Sequence, residues 1–81
     1  MTLYACIKKI KELMFVANGI SLNGKMKYER LAERYKNNSR MKRFYELATS
    51  IQEKIDKINE LLDSIEKDIL SISKVQEELK K

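Results

Sequence analysis

Lys27, Arg30, Arg34, Arg40, Lys42 and Arg43 are the residues of this chain whose type and spacing can do chemistry, and that chemistry is contact with phosphate. Lys27, Arg30 and Arg34 recur at helical intervals and so form one basic arc on a helix. Arg40, Lys42 and Arg43 follow closely enough to extend it into a surface patch, the candidate nucleic-acid contacts. Tyr28 and Tyr35 stand at its margin, although tyrosines at this spacing are core or interface residues more often than platforms for stacked bases.

No other set of side chains offers a comparable chemistry. The sequence holds no histidine and a single cysteine, Cys6, which removes the usual zinc ligands and the usual base for a reactive thiol. Cys6 reads as a small apolar residue, and an intramolecular disulfide is out of reach. The acids Glu46, Glu53, Glu60, Asp56 and Asp63 fall on outward positions of a helical repeat, several beside a lysine at pair spacing, as Glu53 with Lys57. There is no Gly-rich phosphate loop and no nucleophile-base pair, so no catalytic, cofactor-binding or metal residue is expected and the chain reads as a non-enzyme.

The formal charge of +5 is unevenly spread. Residues 1–24 carry +2, residues 25–43 carry +6 from eight Lys/Arg against two Glu, and residues 44–81 carry −3. The positive field is therefore local. Lys8, Lys9, Lys11 and Glu12 interrupt the N-terminal apolar run short of membrane-span length, so the expectation is no membrane partner and a cytoplasmic or otherwise intracellular location.

The elements that must position the basic residues are helices. In 81 residues there is no proline and there are only two glycines, while Ile, Leu, Lys and Glu are frequent. From Met41 and Phe44 onward, Ala48, Ile51, Ile55, Ile58, Leu62, Ile65, Ile69, Ile72, Gln76 and Leu79 step by three and four in alternation. The spacing predicts a coiled-coil-like helix over 40–79, about 58 Å of apolar stripe, with Met41, Ala48, Ile55, Leu62, Ile69 and Gln76 at a and the isoleucines mostly at d. Leu47, Leu61 and Val75 at g widen the stripe, which favours a bundle over a two-stranded rod.

Leu3, Ile7, Ile10, Met14 and Ala17 repeat the design in a helix over 2–17, with Thr2 as a cap. "NGISLNG", residues 18–24, holds two Asn-Gly pairs and reads as a joint. Tyr28, Leu31, Ala32 and Tyr35 predict a second short helix over 25–36, and "NNS", residues 37–39, reads as a second joint in which Asn38 or Ser39 caps the long helix. If instead the helix ran unbroken from Lys25, paired helices could fork around a DNA groove. The isoleucines at d disfavour the parallel pairing which that layout needs.

The fold class expected is thus all-α: a small helical bundle, one domain of two short helices and a long C-terminal one, completed by oligomerisation. Its functional reading is a protein-protein interaction component (an adaptor, inhibitor or assembly protein) that self-associates, dimer favoured. Ile58, Leu62, Ile65, Ile69, Ile72 and Leu79 are the expected interface, because two short helices cannot cover the whole stripe. The alternative is a DNA- or RNA-binding protein using the basic 25–43 region.

Overall fold

Two polar side chains start the two helices of this chain. In the computed structural model, which describes residues 2–80, Thr2 Oγ1 accepts a 3.1 Å hydrogen bond from the Ala5 amide at the head of α1 (Leu3–Arg34). Asn38 Oδ1 accepts from the amides of Arg40 and Met41, at 3.0 and 3.4 Å, and opens α2 (Ser39–Leu79). Each cap satisfies amides that have no partner within their own helix. The connection is four residues long, 35–38, closed by Tyr35 N to Leu31 O and Asn38 N to Tyr35 O, both 2.9 Å. The result is a rod of 68 × 17 × 13 Å.

The expected joint at 18–24 is not there, and the two short helices are one. Helix α1 runs through "NGISLNG" for 32 residues without interruption, and neither glycine has a positive φ. The physical reason is a comparison of costs. A helical glycine costs about 1 kcal/mol relative to alanine, whereas a break would leave four amides and four carbonyls in need of new partners. The turn at 35–38 likewise removes the unbroken helix that a forked DNA-binding layout requires.

Three cross-helix contacts set the antiparallel register. Near the turn, the Tyr28 and Phe44 rings stack with centroids 5.3 Å apart. At mid-length Asn18 meets Gln52, and towards the open end Lys11 Nζ lies 2.8 Å from Asp63 and 3.3 Å from Glu66. Followed to its start, this register puts Leu3 level with about residue 70, so α2 outruns α1 by roughly 14 Å. Consistent with that overhang, residues 71–80 are all exposed.

The core is thin, as a chain this small dictates. Among the described residues, the buried side chains are Ile7, Leu62 and Gln52, each 5 to 6% exposed. Helix α2 faces α1 with a and e positions: Met41, Ala48, Ile55, Leu62 and Ile69 alternate with Tyr45, Gln52, Asn59 and Glu66, all buried or half-buried. The a/d stripe therefore does not act as one seam. Its a half closes the hairpin, and its d half is left outside.

Candidate interaction face

The d positions of α2, Phe44, Ile51, Ile58, Ile65, Ile72 and Leu79, are between 39% and 81% exposed, and Leu47, Leu61 and Val75 at g are similarly open. At 100° per residue, d lies about 80° and g about 140° from the a/e seam, in the same rotational sense. On α1 the same sense from its own seam leads to Leu3, Ile10, Leu13 and Ile20, all exposed. Two antiparallel helices facing each other turn these flanks to the same side. The hairpin thus carries one broad apolar face built from both helices.

The opposite side carries the cross-helix charged groups and fewer apolar side chains, Leu70 of α2 among them. Lys11 bridges to Asp63 and Glu66 there, and Glu29, Glu33 and Lys42 line a shallow groove nearer the turn. The Lys11 ammonium is held above the usual lysine range by its hydrogen bonds to Asp63 and then Glu66, with partial burial acting weakly against them. Phe15, Leu22 and Met26 form a shorter exposed row on this side. Along the apolar face of α2 the pattern is interrupted only at g, by Lys54 and Asp68.

The six residues expected at the interface divide between the two sides of α2. Leu62 is buried and Ile69 half-buried against α1, so both belong to the hairpin's own seam. Ile58, Ile65, Ile72 and Leu79 remain open on the outer face. Sequence reasoning missed Phe44, Ile51, Leu61 and the α1 residues as members of that face. The signal that carried them was the d/g half of the repeat taken apart from the a half.

The basic residues gather at the turn end of the rod, and all of Lys27, Arg30, Arg34, Arg40, Lys42 and Arg43 are exposed. They ring the tip rather than converge on one groove: Lys27, Arg34 and Arg40 occupy g positions that continue the apolar face, Arg30 and Arg43 look away from the partner helix, and Lys42 lies on the side of the Lys11 bridge. The Arg34 guanidinium sits 5.8 Å from the Tyr35 ring centroid, while Tyr28 is half-buried in its stack on Phe44. Among the described residues the ion pairs are those of Lys11, and the 25–43 region keeps a net charge of +6 with Glu29 and Glu33 included.

Cys6 is half-buried near the head of α1, and Glu46, Glu53, Glu60, Asp56 and Asp63 are exposed along the outside of α2. Among the described residues no group of His, Cys, Asp or Glu is placed to hold a metal ion, and no helix is long and apolar enough to cross a membrane. The chain matches no known family model, no curated protein and no solved structure.

Proposed function

We propose that this protein is a non-catalytic helical interaction component, an adaptor or assembly protein that self-associates and works through the apolar d/g face of the hairpin. The observation that carries the reading is the row from Phe44 to Leu79, exposed along the whole of α2. It is about 52 Å long and about one helix wide, on the order of 500 Å², already within the about 300–600 Å² of the largest apolar patch on a typical monomer before α1 adds its share. Each of its large side chains, most of them about half exposed, forgoes roughly half of the about 1.5–3 kcal/mol that full burial contributes. A chain with so small a core gains much of its net stability by covering that face.

Sedimentation equilibrium across the micromolar range tests this. The expected result is reversible association of the native chain, lost in a variant carrying Ile51→Ser and Ile58→Ser, whose seam residues are untouched. A native chain that stays a folded monomer at every concentration would remove self-association.

The exposed basic tip supports a second reading, binding of a nucleic acid through Lys27, Arg30, Arg34, Arg40, Lys42 and Arg43. Phosphate contacts release counterions, so such binding weakens steeply with salt. Anisotropy titrations with DNA and with RNA at two salt concentrations, on the native chain and on one with the six residues neutralised, measure it. Binding that neutralisation leaves unchanged would exclude the tip as its site.

A further inference from the structure

We propose that the occupant of the apolar face is a second copy of this chain, laid across it with the two hairpin tips at opposite ends, so that α2 packs antiparallel on the partner's α2 about a dyad close to Ile58. The proposal rests on the self-association reading and goes beyond it by fixing the geometry. Two closed arrangements would cover the face. One rotates the partner end over end, so that equal helices pair and the tips point apart. The other keeps both tips together and lays each α1 on the opposite α2.

The charge distribution separates the two. Residues 39–43 of α2 carry +3 and residues 60–79 carry −4. Antiparallel pairing about Ile58 sets each basic start opposite the partner's residues 73–77, which carry no net charge and lie next to Glu78, and holds the two +6 regions at opposite ends of the dimer. With the tips together, two 25–43 regions of +6 each would be crowded side by side at one end.

Length gives an independent argument. Ile58 lies one residue from the middle of Ser39–Leu79. Pairing about it sets Ile51 opposite the partner's Ile65 and Phe44 opposite the partner's Ile72, so the overhang that α1 cannot reach is covered by the start of the partner's α2. With the tips together, the overhangs of both chains would project past the same end and lie beyond both α1 helices.

Helix α1 supplies a third argument. Its outward g positions are Cys6, Leu13 and Ile20, then Lys27 and Arg34. In the tips-apart arrangement the partner's α1, packed antiparallel about the same dyad, begins level with about residue 26. The apolar run on α1 therefore stops where coverage by the partner stops. Beyond it, Lys27 and Arg34 extend past the end of the partner's α1 into water.

The test uses the full chain with Cys6→Ser and a single spin label introduced through Lys36→Cys in the exposed turn, with light scattering on the same sample. Helix α2 begins about 28 Å from the dyad and residue 36 lies just beyond it, so a dimer with tips apart gives a label separation of about 60 Å. A separation near 20 Å in a dimer would overturn this geometry while leaving self-association standing, and a monomer would overturn both. As a check that leaves the label and the apolar face alone, Arg40→Glu with Arg43→Glu should weaken dimerisation roughly tenfold, and adding Glu77→Lys with Glu78→Lys should restore it. Failure of that restoration would contradict the charge pairing.

Discussion

Gln52 donates a 2.6 Å hydrogen bond from Nε2 to Asn18 Oδ1, a polar clasp between α1 and α2 at the middle of the rod. The same nitrogen lies 3.1 Å from Asp56 Oδ1, and Gln52 Oε1 is buried with no hydrogen-bond partner among the described residues. A clasp with an unsatisfied acceptor specifies alignment more than it adds stability.

Removing one side of the clasp is expected to hurt, and replacing both sides is not. Asn18→Ala should cost about 0.5–1.5 kcal/mol in urea denaturation, because it removes one of the two acceptors of Gln52 Nε2 and leaves Asp56 as the other. Asn18→Leu combined with Gln52→Leu should match or exceed native stability and relax the alignment of the two helices. A double replacement as damaging as the single one would show that the clasp contributes net stability.

The two helical glycines point to an easy gain. A Cβ built on Gly19 or on Gly24 meets nothing within 4 Å, and both have ordinary negative φ. Gly19→Ala and Gly24→Ala should each raise stability by about 0.5–1 kcal/mol, read from denaturation midpoints. A loss at either site would mean that α1 does not run straight through 18–24 in solution.

At the turn, Asn38→Ala removes the acceptor for two amides of α2. It should cost about 1 kcal/mol, with Asn38→Ser recovering most of it. Thermal melts followed by circular dichroism compare the three chains directly.

The Lys11 bridge predicts a pH dependence. Because its folded-state pKa is raised, its contribution is complete below about pH 10.4, where lysine is charged in both states, and is lost as pH climbs through the higher folded value. The melting difference between native and Lys11→Met chains should hold steady from pH 7 to about pH 10 and close above that. It should also shrink in high salt, since the pair is partly exposed.

Much of α2 was legible in the sequence because its apolar residues keep strict spacing and Asn38 sits where a cap is needed. The continuity of α1 was not. At 18–25 its seam positions are Asn18, Ser21 and Lys25, which carry no apolar signal, while the two Asn-Gly pairs carry a strong turn signal. What overrides them is the cost of leaving the backbone groups of two new helix ends without partners, together with the Asn18–Gln52 contact to α2, which no single segment reveals. Periodicity likewise defines the width of the α2 stripe but not which half meets α1. Gln52, Asn59 and Glu66 sit at that contact as polar residues, where hydropathy would not place them.

The uninterrupted course of α1 also governs how the protein ages. An Asn-Gly pair deamidates when the glycine nitrogen attacks the asparagine side-chain carbonyl and expels ammonia through a succinimide ring. A helix resists this by committing that nitrogen to its own backbone hydrogen bond and holding it away from the side chain. Both pairs of α1 are shielded in this way, but unequally: the Asn18 amide is also gripped by Gln52, whereas Asn23 is exposed. Of these two, Asn23 is therefore expected to convert first to aspartate and isoaspartate, and the rate at which acidic forms of it build up would record how often this stretch of α1 opens.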